Sequence, residues 1–357
     1  LGCFTLLFLQ LNRVQVFQAE ALQQNPSNSR VNQRQFDQLR GVIVTSDDVV
    51  VAESITGDTA PFSQQRVYPH NDLYAHTVGY ISFTLGSEGV ERFYNDEIIG
   101  DTPAQQLADL TSVLDPDPEP GSITLTLDHE LQQVAKEALG ERTGSVEAMD
   151  PRTGAIKAMW SFPSFDPYQV ANNNSTEANA AFQVLRDAPG NPLRARAYRD
   201  VASPGSTFKV ITAAAALETG EATLTEPVFP TVSSYTPELT DRPISNFGGS
   251  QCGGDMAEML VRSCNAGFAQ LAAEQLGPET LRNQAGAAGF NEVPPIDLPQ
   301  AVESVFPPTE TFGELIREPT EEMSAGLFEN TPLLAQAAIG QFDVRATPCL
   351  LYTSPSP

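Results

Sequence analysis

A serine and a lysine three positions apart, Ser206-Thr207-Phe208-Lys209, open an alanine-rich stretch of this chain. Residues three apart on a helix share a face, so this spacing sets a hydroxyl beside an amine. A neutral amine can take the hydroxyl proton and leave a nucleophile, with no histidine required. The chain holds three lysines, Lys136, Lys157 and Lys209, and only Lys209 has a serine three residues before it.

The surroundings sharpen that reading. Pro204 and Gly205 punctuate the approach, the alanine run after Lys209 favours helix, and Gly220 can end it. Ser206 is therefore expected in the first helical turn, where free N–H groups and the positive end of the macrodipole favour negative charge. A plain N-cap would explain the serine, but not an apolar helix around a lone lysine. Phe208, Val210 and Ile211 flank Lys209. Partial burial of the amine is expected, and burial lowers its pKa.

A second element follows 57 residues later, the S-x-N of Ser263-Cys264-Asn265. Alternate positions of a short tight segment point the same way, so Ser263 and Asn265 can face one cleft. There a hydroxyl can relay a proton, and an amide can bind a peptide backbone and the lysine.

Together, Ser206-Thr207-Phe208-Lys209 and Ser263-Cys264-Asn265 resemble the first two motifs of penicillin-binding proteins and serine β-lactamases. The longer strings are similar to class B penicillin-binding transpeptidases. Ser203-Pro204-Gly205 leads into the reactive serine as in that family. Residues 144–160 resemble the first hairpin of its catalytic domain, and residues 161–167 continue it. Arg40-Gly41-Val42-Ile43 resembles its N-terminal Arg-Gly-x-Ile segment. Arg66-Val67-Tyr68-Pro69 and Gly79-Tyr80 bring the closest likeness to the penicillin-binding protein A group of actinobacteria. The resemblance covers most of residues 10–348.

The family's third motif, K-[TS]-G, is not found, because no lysine follows Lys209 and no histidine follows His129. A degenerate relative and a chain cut before that motif both fit, and the second is preferred. Residues 339–348 resemble a family stretch that runs on into a helix. Here they pass into residues 349–357, which show no helical period and carry two late prolines. That tail reads as foreign or misread sequence.

Composition sets outer limits. The 357 residues suit two folded regions, and 41% hydrophobic content can build cores. With 20 basic and 45 acidic residues the net charge is −25, which argues against nucleic acid as a partner. Residues 1–11 are apolar but too few to span a bilayer, which takes about 20. They read as the outer part of a single N-terminal membrane anchor, with all that follows outside the cytoplasm; a signal-peptide core or a short buried helix are the alternatives. Cys252 and Cys264 flank a glycine-rich loop and either bridge or remain free thiols. No cysteine or histidine spacing suggests a metal, and no cofactor is expected. His70 and His76 read as surface or core residues. Glu279 and Asn283 match the E-x-x-x-N of some β-lactamases, but read as an ordinary helix start.

The positioning elements follow. Residues 1–17 are the partial anchor. Residues 18–120 form a stem, a mainly β N-terminal pedestal of the dimerisation type, a short helix near residues 104–110, and an acidic, proline-rich linker at 115–121. Residues 121–348 form an incomplete transpeptidase domain, and 349–357 the suspect tail. Within the larger domain, 122–127 alternates as a strand, Asp128 caps a helix over 129–139, and a hairpin at 144–160 turns at 150–154. Residues 168–200 read as a polar connection. Residues 226–254 read as loop with short strands, and 278–288 as helix.

The fold class expected is therefore α+β, a penicillin-binding transpeptidase or serine β-lactamase-like fold in which an antiparallel sheet carries a helical subdomain. The resemblance implies a peptidoglycan cross-linking D,D-transpeptidase that acylates Ser206 with D-Ala-D-Ala stem peptides and binds β-lactam antibiotics covalently. Lys209 would be the base, Ser263 the proton relay and Asn265 the substrate-binding amide. It also implies a glycan polymerase as a possible partner, by analogy alone. Without the third motif the chain as it stands is expected to be inactive. A D,D-carboxypeptidase, a β-lactamase and a non-catalytic β-lactam sensor or scaffold remain alternatives.

Overall fold

The computed structural model describes residues 36–57, 62–102 and 120–353, besides a few positions within the first 13. Most of the expected anchor and stem, the helix near 104–110 and most of the linker lie outside the described residues. Among the described residues no helix is long and apolar enough to cross a membrane.

The chain forms two compact units. The first comprises Leu1–Val134, Pro163–Arg194 and Asp297–Pro299. Strands rich in β-branched residues, β1 (Ile43–Val44) and β2 (Val50–Thr56), are joined by β3 (Gln64–Val67) and β6 (Ile123–Thr124) in a sheet of order β3-β2-β1-β6. A small hairpin, β4 (Ile81–Ser82) and β5 (Gly86–Ser87), lies between them in sequence. The strand expected over 122–127 is shorter than predicted. Regular strand pairing covers Ile123–Thr124, but the backbone contacts run on: the Val44 carbonyl takes the Leu125 N–H at 2.8 Å, and the Leu127 carbonyl takes the Ser46 N–H at 2.8 Å.

Two short helices follow, α1 (Gly89–Phe93) and α2 (Asn95–Ile99). They bury one carboxylate, Glu91, between two guanidiniums. Arg40 donates to Glu91 Oε2 at 2.9 Å, and Arg66 donates to Oε1 at 2.5 Å. Burial alone would raise the Glu91 carboxyl, but Arg66 and Arg40 outweigh it and hold it below its ordinary value. The two arginines of the family-like strings thus meet on a third residue that the strings do not contain.

The Asp128 cap stands as expected: its Oδ1 accepts the Leu131 N–H at 2.9 Å at the head of α3 (His129–Leu139). Residues 168–200, expected as a polar connection, are largely helical instead. Pro167 opens α4 (Pro167–Ala171), with Asp166 accepting from Tyr168 N. Asn174 accepts from the N–H groups of Thr176 and Glu177 to start α5 (Ser175–Asp187). The asparagine run is therefore a helix cap rather than a loop. His76 is buried, with Nε2 2.7 Å from the Pro192 carbonyl.

The second unit comprises Ala135–Phe162, Ala195–Ile296 and Gln300–Pro357. Its hairpin pairs β7 (Gly144–Met149) with β8 (Ile156–Phe162), turning where Gly154 donates to the Asp150 carbonyl at 2.9 Å. After α6 (Arg196–Arg199), a 3₁₀ turn over Gly205–Phe208 feeds α7 (Lys209–Thr219). Short strands follow: β9 (Phe229–Val232) pairs with β12 (Cys252–Gly254), and β10 (Ser234–Tyr235) with β11 (Ile244–Ser245). Then come α8 (Met256–Arg262), α9 (Asn265–Leu271), a single π-helical turn, and α10 (Gly277–Ala287). A hairpin of β13 (Leu315–Arg317) and β14 (Leu327–Phe328) precedes α11 (Thr331–Ala337).

The core explains the local geometry around Ser206. Phe208 is fully buried, stacked on Phe306 at 5.6 Å and edge-on to Phe290 at 5.5 Å. Burying a phenylalanine contributes about 1.5–3 kcal/mol. Phe208, directly before Lys209, therefore pins the turn.

The chain end corrects one expectation. Residues 349–357 show no helical period in sequence, yet Pro348–Thr353 forms a helix, α12. Proline is tolerated at a first helical position, and Thr347 Oγ1 caps the turn by accepting from Leu350 N at 3.1 Å. Cys349 and Leu350 are buried there.

Candidate active site

The helix expected around the S-x-x-K begins slightly later than Ser206. Ser206 lies on the 3₁₀ turn and Lys209 starts α7. The turn is held from below by Gly205, which donates to the Gly340 carbonyl at 2.9 Å. Ala202 and Ala346 exchange a pair of backbone hydrogen bonds just before it. Arg345 Nη1 adds a bond to Ser203 Oγ at 2.8 Å.

The S-x-N segment joins two helices. Asp255 Oδ1 accepts from Glu258 N to start α8. Ser263 ends that helix in the left-handed region, φ 54°, and Cys264 precedes the first turn of α9. Cys264 is bonded to Cys252 on β12. The pairing left open in the sequence is therefore a disulfide, and it fastens the centre of the motif to the neighbouring strand.

These elements bring all four expected residues together around one atom. Lys209 Nζ lies 3.1 Å from Ser206 Oγ, 3.0 Å from Ser263 Oγ, 2.7 Å from the Ser263 carbonyl and 2.6 Å from Asn265 Oδ1. Lys209 is almost wholly buried, and burial pushes its amine down to about 8. A neutral amine has two N–H donors and one lone pair. The Ser263 carbonyl and Asn265 Oδ1 can only accept, so they occupy the two donors. The lone pair is left for a hydroxyl, and the hydroxyls in reach are those of Ser206 and Ser263.

The orientation of Asn265 is fixed by its other end. Its Nδ2 donates to the Ser245 carbonyl at 2.9 Å, so Oδ1 must face the lysine. Asn246 supports the same region, donating to the carbonyls of Val232 and Ser250 and accepting from Ala266 N. Sequence reasoning missed Asn246 and Ser245. Their only signal is adjacency to a glycine-rich loop, and backbone contacts of this kind leave no spacing rule.

A cleft of about 590 Å³ opens over these groups. Ser206, Ser263 and Asn265 line it together with Ile244, Ser245, Phe247, Ser250, Arg262, Ile339 and Gln341. Glu279 and Asn283 do not reach it. They line a separate cavity with Arg282 and Thr309, in keeping with their reading as a helix start. Among the described residues no cluster of histidine, cysteine or carboxylate could hold a metal.

The chain is similar to known proteins over most of its length. Residues 144–349 match the family model of the penicillin binding protein transpeptidase domain, and residues 40–123 that of the penicillin binding protein A dimerisation domain. The peptidoglycan D,D-transpeptidase PbpA of Mycobacterium tuberculosis is 33% identical over 98% of this chain and 68% of its own length. That of Mycolicibacterium smegmatis is 34% identical over 96% and 67%. The structure of penicillin-binding protein A from M. tuberculosis as an imipenem acyl-enzyme complex superposes with a TM-score of 0.76. It is 31% identical, covering 89% of this chain and 70% of that one.

Proposed function

We propose a function from one premise: this chain belongs to the class B penicillin-binding transpeptidases of the penicillin-binding protein A kind. Its function is that of a peptidoglycan D,D-transpeptidase with an acyl-serine intermediate. The observation that carries the reading is the Lys209 amine, buried and pushed down to about 8, with Ser206 Oγ 3.1 Å away.

In this reading Lys209 takes the Ser206 hydroxyl proton as Oγ bonds to the carbonyl carbon of the penultimate D-Ala. The Ser206 N–H, at the open start of its turn, donates to the developing oxyanion. The C–N bond to the terminal D-Ala then breaks, and the proton passes through Ser263 Oγ to the departing amine. An amine of a second stem peptide attacks the ester, and the same relay runs in reverse. Asn265 orients Lys209 and binds the donor amide. β-Lactams enter the same path and stop at the acyl-enzyme.

The apolar start of the sequence supports a membrane anchor, with the active site outside the cytoplasm. A glycan polymerase is the partner class that fits a cross-linking enzyme. In protein expressed from its complete reading frame, Ser206→Ala should abolish labelling by a fluorescent penicillin. Persistent labelling of the variant would assign the nucleophile elsewhere.

A further inference from the structure

Arg262 is the one charged side chain among those lining the cleft beside the reactive serine. It is exposed, and among the described residues it makes no hydrogen bond or ion pair. Exposed Arg92 and Arg242 likewise carry no side-chain hydrogen bond or ion pair among the described residues, so what sets Arg262 apart is its place in the cleft wall. Three other exposed arginines do meet carboxylates, Arg152 with Asp150, Arg186 with Asp187 and Arg317 with Glu238. A cation in the last turn of α8 suits the helix dipole. The dipole does not explain why this cation opens onto the cleft with no carboxylate of its own.

Its mounting is rigid. Arg262 directly precedes Ser263, whose left-handed backbone turns the chain so that Ser263 Oγ reaches Lys209 at 3.0 Å. The next residue, Cys264, is covalently tied to Cys252. The rest of the cleft is neutral: serines and Gln341 supply hydrogen bonds, and Ile244, Ile339 and Phe247 supply apolar surface. A guanidinium held in such a wall has one chemical preference, a planar carboxylate bound through two parallel N–H groups.

We propose that Arg262 is a specificity-determining residue that binds a side-chain carboxylate of the acyl-donor stem peptide, so that the protein selects donors with that carboxylate free over donors with it amidated. The proposal rests on the transpeptidase reading above. It adds a substrate feature that the serine, lysine and asparagine do not read, since those groups address the scissile amide.

The test uses protein expressed from its complete reading frame and two synthetic donor peptides ending in D-Ala-D-Ala. The donors are identical except that the side-chain carboxylate of the third residue is free in one and amidated in the other. D-Ala release is followed for wild type, Arg262→Ala and Arg262→Lys. Wild type should favour the free carboxylate by about tenfold in kcat/KM, expressed mainly in KM. Arg262→Ala should bring the ratio of the two donors near one, and Arg262→Lys should keep part of it. The ratio is insensitive to a general loss of folded protein. The proposal is overturned if wild type takes both donors equally, or if Arg262→Ala keeps the wild-type ratio. It also fails if Arg262→Ala slows both donors by the same factor, which would mean that Arg262 reads the terminal carboxylate common to both. Loss of the underlying transpeptidase reading would show separately, as penicillin labelling that does not depend on Ser206.

Discussion

Gly340 lies against Gly205 so closely that a Cβ on Gly340 would stand 2.1 Å from the Gly205 carbonyl oxygen. Gly340 also has φ 68°, in the left-handed region that favours glycine. Its carbonyl takes the Gly205 N–H at 2.9 Å, one residue before Ser206. Gly340→Ala should therefore cost at least about 2 kcal/mol of stability, from backbone strain and the clash together. It should also slow penicillin acylation more than the stability loss explains. Chemical denaturation and stopped-flow acylation would check both. A variant with wild-type acylation would mean that the Gly205–Gly340 contact does not position Ser206.

Lys209 predicts a pH profile. Its amine is pushed down to about 8, so the acylation rate should climb with pH and level off above an apparent pKa near 8. Stability follows the same group. Between pH 8 and the ordinary lysine value of 10.5 the unfolded chain holds a proton that the folded chain does not, so this group favours folding increasingly as pH rises through that window. Lys209→Arg should abolish acylation, because a guanidinium does not deprotonate in this range. Asn265→Asp sets a negative charge 2.6 Å from the amine and should move the rising limb to higher pH by about one unit or more. A limb that stays in place would remove Lys209 as the titrating base.

Glu147 on β7 is buried, and among the described residues neither carboxylate oxygen has a hydrogen-bond partner. Burial pushes its carboxyl up to about 8. In the window from 4.5 to 8 the folded chain holds a proton that the unfolded chain has released. The group therefore destabilises the fold progressively as pH rises through that window. Glu147→Leu should stabilise the protein at pH 8 by about 2–4 kcal/mol and leave it nearly unchanged at pH 4.5. Denaturation curves of the two proteins that stay parallel from pH 4.5 to 8 would contradict the assignment.

Glu91→Gln should be costly for the opposite reason. It leaves Arg40 and Arg66 buried with no carboxylate between them, and removing one partner of such a cluster costs about 3–5 kcal/mol. Equilibrium unfolding measures it, and a loss under about 1 kcal/mol would show that water or another group already compensates the arginines.

How much was legible in the sequence depended on the range of the interaction. The hairpin over 144–160, the Asp128 cap and the helices after Ser206 and Gly277 follow from local spacing, because each is closed by hydrogen bonds to near neighbours. Three local readings went the other way. The asparagine run at 172–174 became a cap of α5, Thr347 started a helix in the tail, and the strand expected at 122–127 is regular only over Ile123–Thr124, though its backbone contacts reach Leu127.

The chain by itself determined which chemistry was available, since a single lysine with a serine one turn before it, and one S-x-N, are facts of composition and order. Only the tertiary structure decided that the chemistry meets at a point. Ser206 and Ser263, 57 positions apart, are brought together by one core that holds Phe208, Met259, Cys264 and Phe268, and Lys209 is buried beside it. Burial, the Asn246 and Ser245 supports, and the paired arginines on Glu91 are contacts between segments far apart in sequence. Linear spacing carries no information about such contacts, because they depend on what the folded core excludes from water.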